Sequence, residues 1–145
     1  MSSISINIGD VFLIDTPPNG QHFYVAIAKT SSNKYLFVNL TDKKNNSERV
    51  CVLAPDPSVP SFIKKESVIA YYFAREMDAN DLAICITSGS PITKYFLSAD
   101  IVSQIQQGGL ISKKLKNKYK TALKKFLGID EIKLSKGKGL LENQE

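Results

Sequence analysis

From Asp10 to Thr41 the chain reads as three strand-forming runs separated by polar, turn-forming residues. Asp10–Asp15 predicts a first strand, closed by Thr16-Pro17-Pro18-Asn19-Gly20, where proline removes donors and Asn-Gly accepts positive φ. His22–Lys29 and Lys34–Thr41 are rich in β-branched and aromatic residues and alternate with a period of two. Phe23, Val25 and Ile27 therefore share one side, and Leu36, Val38 and Leu40 share another. A hairpin around Thr30–Asn33 brings these sides together when Phe23 opposes Leu40, Val25 opposes Val38 and Ile27 opposes Leu36. A slip of one residue would mix the faces, which burial of one side resists. The same register sets His22 beside Thr41 on the less apolar side, near Tyr24 and Asn39.

A polar connection, 43–48, precedes an expected fourth strand at Arg49–Ala54, and Pro55–Pro60 is too rich in proline for anything but a loop. Ser67–Ala74 is almost continuously apolar and predicts a strand buried on both faces. Asp81–Thr87 fits either a strand or a short helix, and Ser88–Pro91 a turn. The period then changes. Ser98 is placed to cap a helix that carries Asp100 in its first turn and Ile101, Val102 and Ile105 on its apolar side, with Gly108-Gly109 as the expected stop. Ser112 opens a second expected helix, which Gly128 ends. Leu115, Tyr119, Ala122, Leu123, Phe126 and Leu127 recur on one face of it. The pattern predicts a single α+β domain over 1–128, with a β-body at 9–96, helices at 98–128 and a loose tail at 129–145.

Composition changes this picture mainly through charge. The net charge of +5 is unevenly distributed. Residues 1–111 hold nine Lys or Arg against ten Asp or Glu, whereas 112–138 hold ten lysines against Asp130 and Glu131 alone. A concentration of that kind attracts polyanions by counterion release, so Lys113, Lys114, Lys118, Lys120, Lys124 and Lys125 are the candidate contacts to an anionic partner, RNA among the possible ones. Solvated surface helices ordinarily mix both signs. No apolar run reaches the roughly 18–20 residues of a membrane span, the N-terminus does not read as a secretion signal, and no membrane partner is expected. Cys51 and Cys85 sit in apolar runs, as free thiols of a cytoplasmic protein would. Two isolated cysteines and one histidine do not supply a four-ligand metal site, and no cofactor motif occurs, so neither metal nor cofactor is expected.

Among single residues, His22 is the only side chain whose ordinary pKa suits proton transfer near neutrality. Thr41 opposite it can donate to a phosphate oxygen, and Lys43, Lys44 and Arg49 lie close enough in sequence to neutralise that phosphate.

Gly9–Asp15, the Pro-rich loop, Phe23–Ile27 and Leu36–Thr41 together resemble the opening strands of the MazF/PemK toxins. Cys51-Val52-Leu53 followed by Ser61–Tyr71 is similar to a divergent, poorly characterised PemK-like branch. The resemblance spans about residues 9–74. It implies an SH3-like antiparallel β-barrel, here with C-terminal helices, and a metal-independent endoribonuclease of a toxin–antitoxin system. It also implies a homodimer and an inhibitory antitoxin protein as partner. Thr41 falls where the toxins have a strand-end Ser or Thr, and His22 stands in about the place of their arginine. On this reading His22 moves the proton, Thr41 contacts the phosphate, and Arg49 or Lys43 supplies charge. The alternative is a non-catalytic RNA- or protein-binding module that works through the lysine-rich helix, with the sequence placing that helix outside the part that resembles the toxins.

Overall fold

The computed structural model describes residues 6–15, 21–82 and 94–129. Strands β1 (Asp10–Asp15), β2 (Gln21–Lys29), β3 (Lys34–Asp42), β4 (Val52–Leu53), β5 (Ser67–Asp78) and β6 (Lys94–Phe96) form one antiparallel sheet. Its order is β4-β5-β3-β2-β1-β6, and it curls into a half-barrel with β4 and β6 at its edges. Helices α1 (Ala99–Ile111) and α2 (Asn117–Leu127) complete an α+β fold. The expected turns at 16–20 and 88–91, Cys85, most of the 81–87 segment and the tail from 130 lie outside the described residues; 79–82 form a helical turn.

The β2–β3 register follows the alternation: Phe23 pairs with Leu40 and Val25 with Val38. It departs at Ile27. Ala26 pairs with Phe37 and Ala28 with Leu36, so Ile27 is an extra residue in a bulge rather than the partner of Leu36. The carbonyl of Ile27 instead accepts a 3.0 Å bond from Nε2 of the buried Gln106 in α1. Val25, Ile27, Leu36, Val38 and Leu40 nevertheless share one core with Ile101, Ile105, Leu115 and Leu123 of the helical segment. The opposite face is more apolar than expected. Phe12, Ile14, Tyr24, Ala26, Phe37 and Leu82 form a second buried cluster there.

Two further expectations need correction. The fourth strand spans only Val52–Leu53, and Arg49, at the start of the expected strand, directs its guanidinium back to the Lys44 and Asn45 carbonyls of the preceding loop. Strand β5 is longer than expected and is not buried on both faces. Phe37 pairs with Arg75 and Asn39 with Ala70, so Val38 alone faces the four residues Tyr71–Ala74. This wide bulge turns Tyr71 and Ala74 into the core and leaves Tyr72 and Phe73 exposed.

Tyr71 also explains why the glycines do not stop α1. Ser98 caps the helix as expected, its Oγ accepting from Ile101 N–H at 3.3 Å, but the helix runs through Gly108-Gly109 to Ile111. Tyr71 Oη donates to the Ile105 carbonyl at 2.6 Å. A Cβ on Gly108 would collide with that hydroxyl, and one on Gly109 would lie 2.9 Å from Leu123 Cδ2. The glycines are sites of close approach, not terminators. At the far end of α2, Gly128 takes φ +76° and ends the helix as the sequence indicates.

Alanine in place of glycine ordinarily stabilises a helix interior by about 1 kcal/mol. Gly108→Ala is expected to reverse that sign and destabilise by roughly 1–3 kcal/mol through overpacking. In a Tyr71→Phe background the loss shrinks, a coupling that a double-mutant cycle by denaturant unfolding measures.

Burial lifts the thiol of Cys51 from 9.0 to about 11, with a hydrogen bond to Tyr71 opposing the shift. The unfolded thiol therefore ionises first as pH rises. The increment that this group contributes to stability is whole below pH 9 and is lost between pH 9 and about 11. Unfolding curves of the wild type and of Cys51→Ala, compared across that window, should converge as pH rises.

Candidate functional site

The end of the sheet that carries Thr41 is where the candidate residues and the lysine segment meet. Thr41 pairs with Val68 on β5, and Phe23–Leu40 is the adjacent pair on β2–β3. One position further along those strands stand His22 and Thr41, with His22 itself paired to Ile14 of β1. By alternation His22, Tyr24, Asn39, Thr41, Val68 and Ala70 occupy one face of the sheet. His22 and Thr41 are both half-buried.

Of the nearby cations proposed to neutralise a phosphate, Lys43 and Arg49 are otherwise engaged, while the exposed Lys44 takes part only through its backbone. Lys43 Nζ lies 2.5 Å from Glu66 Oε1 and holds that carboxyl below its usual range. Lys65 approaches Asp42 at 3.5 Å. Arg49 makes two long bonds of 3.4 Å to loop carbonyls, and the Lys44 N–H donates to Ser47 Oγ at 2.8 Å. Arg49 and Lys43 thus shape the 43–49 loop, and their charge is partly spent within it. These exposed pairs contribute little stability, since water screens them.

The lysine segment comes to Thr41 from the other side. Ser112 does not open a helix: it is the C-cap of α1, and α2 begins at Asn117. Between them Ser112 Oγ accepts from Lys114 N–H at 3.0 Å and Leu115 N–H at 3.2 Å, which organises a turn. The Glu48 carboxylate fastens this turn to the loop after β3. It accepts from Ser112 Oγ at 2.8 Å and from Lys113 N–H at 3.1 Å. Lys113 and Lys114 therefore lie on an anchored turn, not on the helix where the sequence pattern put them. Leu115 and Leu123 are buried in the main core, Tyr119 and Leu127 pack against it, and Phe126 is exposed.

This docking places Lys114 on the wall of a cavity of about 230 Å³ that Thr41, Ser47, Ala70, Tyr72 and Phe73 also line. A second cavity of about 260 Å³, between Phe23, Phe62 and Lys64, borders Thr41 as well. Thr41 is thus common to both, and the sheet and Lys114 of the lysine segment share one surface. Lys113, Lys114, Lys116, Lys118, Lys120, Lys124 and Lys125 follow one another from 113 to 125 with no acid among them. Among the described residues no ion pair engages Lys113, Lys114, Lys116, Lys118, Lys120 or Lys125. Lys116 Nζ stands 5.9 Å from the centroid of the Tyr72 ring, and Lys118 Nζ 5.1 Å from that of Tyr119. Lys124 and Lys125 fall in the last turn of α2, where the helix dipole favours positive charge.

Sequence reasoning missed three contributors: the Glu48–Ser112 anchor, Lys116, and the exposed pair Tyr72–Phe73. The pairing of Glu48 with Ser112 spans 64 positions and leaves no local signal. The aromatic pair is hidden in a run whose hydrophobicity reads as buried strand. Among the described residues no group of three or more His, Cys, Asp or Glu side chains could hold a metal ion. No helix there is long and apolar enough to cross a membrane. Comparison of the chain with family models and with curated proteins finds no match.

Glu48→Ala removes the acceptor of two donors at the turn. A loss of about 1–2 kcal/mol is expected, in the range of a lost helix cap. Faster hydrogen exchange at the Lys113 amide should accompany it. Glu48→Gln, which keeps one carbonyl oxygen, should recover part of both.

Proposed function

We propose that this protein is an RNA-binding α+β module whose principal contact is the lysine segment 113–125. One observation carries the reading: seven lysines follow one another without an intervening acid, Glu48 fastens the turn that begins the run, and Lys114 lines the cavity that contains Thr41. Ion pairs would neutralise such a surface if it served only as solvated exterior, and salt-dependent attraction to phosphates is its natural use. The curled sheet is read as an SH3-like barrel left open between β4 and β6.

The toxin-like, metal-independent endoribonuclease is the second reading, favoured by the cavity that Thr41 shares with Lys114. On that reading Thr41 would donate to the phosphate, Lys114 would supply the charge first sought from Arg49 or Lys43, and His22, which shares the sheet face of Thr41 but lines neither cavity, would accept the 2′-hydroxyl proton. A cytoplasmic homodimer restrained by an antitoxin protein belongs to this second reading alone.

Replacing Lys113, Lys114, Lys118 and Lys120 by glutamine should weaken RNA binding and flatten its salt dependence. The slope of log K against log salt should fall by roughly 0.7–0.9 for each phosphate that the protein no longer neutralises. Fluorescence anisotropy across a salt series measures both, and salt-insensitive binding by the wild type would overturn the proposal. Metal-free RNA cleavage that disappears in His22→Ala while binding persists would establish the nuclease reading.

A further inference from the structure

The β5 bulge sends two adjacent aromatic side chains out of the protein where the core has no use for them. Tyr72 is 62% exposed and Phe73 55% exposed. Their rings meet edge to face with centroids 5.1 Å apart and flank the cavity that holds Thr41 and Lys114. Lys116 stands near the Tyr72 ring. Bulges of this kind commonly re-aim side chains beside functional sites. At about 230 Å³ the cavity is smaller than the roughly 300–1,000 Å³ of drug-sized pockets, which suits a single flat ring system. An apolar protein surface docked here would have to desolvate Lys114 and Lys116, while the Glu48 carboxylate on the same wall already accepts from Ser112 and Lys113. A nucleotide brings a π-face for the aromatic ring and an anion for the ammonium groups.

We propose that Tyr72 and Phe73 form a nucleobase-stacking subsite, in which one unstacked base lies against the Tyr72 ring beside the Thr41 cavity and its phosphate meets Lys114 and Lys116. Asn46, on the same cavity wall, offers an amide donor and acceptor to the edge of that base. The subsite rests on the RNA-binding reading and deepens it. The lysines supply attraction for any polyanion, and the aromatic ledge selects strands whose bases are free to stack.

The chain has no tryptophan, so Tyr72→Trp introduces a single fluorescent reporter at the ledge. Its emission should be quenched by a single-stranded oligoribonucleotide and not by an RNA duplex or by polyphosphate. The double variant Tyr72→Ala/Phe73→Ala, altered at exposed positions, should bind the single strand roughly tenfold more weakly and the duplex unchanged, with the same salt slope. Equal quenching by duplex and single strand, or unchanged single-strand affinity in the double variant, overturns the subsite. If the glutamine substitutions in the lysine segment weaken binding and the alanine substitutions do not, only the subsite fails; if neither does, the RNA-binding reading fails with it. Saturable quenching by a nucleoside monophosphate with no gain for the oligomer assigns the ledge to free nucleotides and overturns the strand proposal. A change in sedimentation of the double variant without a change in RNA binding makes the ledge a protein interface, which also overturns it.

Discussion

The Tyr71 hydroxyl joins sheet to helix, and the layout of the molecule follows from that bond. Its donation to the Ile105 carbonyl requires α1 to lie within a side chain's reach of β5, which the missing Cβ of Gly108 permits. Burial pushes the hydroxyl far above its ordinary pKa, so it remains a donor wherever the protein is folded. A buried hydroxyl that lost its acceptor would cost about 1–3 kcal/mol, more than a typical made bond contributes. Once α1 is seated, Gly109 lets Leu123 of α2 approach, and the second helix inherits its position from the first.

An acid organises the basic surface. Glu48 accepts from the serine and the backbone amide that begin the lysine turn, so its negative charge is consumed at the base of the segment. The ammonium groups beyond it project from a fixed turn and a capped helix. At the other side of Thr41 the pattern is opposite: Lys43 and Lys65 are answered by Glu66 and Asp42. That flank of the sheet end therefore has part of its positive charge paired, and the α2 flank carries seven lysines with no acid between them.

Local pattern was enough to read the three long N-terminal strands, the Ser98 cap, the Gly128 stop and the face that joins Val25 to Val38. These depend on side-chain period or on one residue's backbone preference. What could not be read depends on residues far apart in the chain. Gly108-Gly109 has the composition of a helix end, and only the hydroxyl contributed by Tyr71 makes it a helix interior. Arg49 has the composition of a phosphate ligand, and only the carbonyls of its own loop reveal its use. Tyr72 and Phe73 look buried because their neighbours are apolar, while Val38 opposite them sets the surplus that turns them out. Of the candidate site, Thr41 and the lysines were legible as residue types, but their shared cavity was not.

That surplus makes β5 sensitive to length rather than to identity. Elsewhere on the sheet, apart from the single extra residue at Ile27, one strand residue answers one across the ladder. Between Phe37 and Asn39 the opposing strand stores extra chain, and the inward pull of Tyr71 and Ala74 decides where the slack emerges. A single deletion in 71–74 would preserve the composition and the packing at either end, yet it would exchange inner for outer side chains. The protein's exposed aromatic ledge is thus written as a residue count, the four positions that lie between Ala70 and Arg75 opposite Val38 alone.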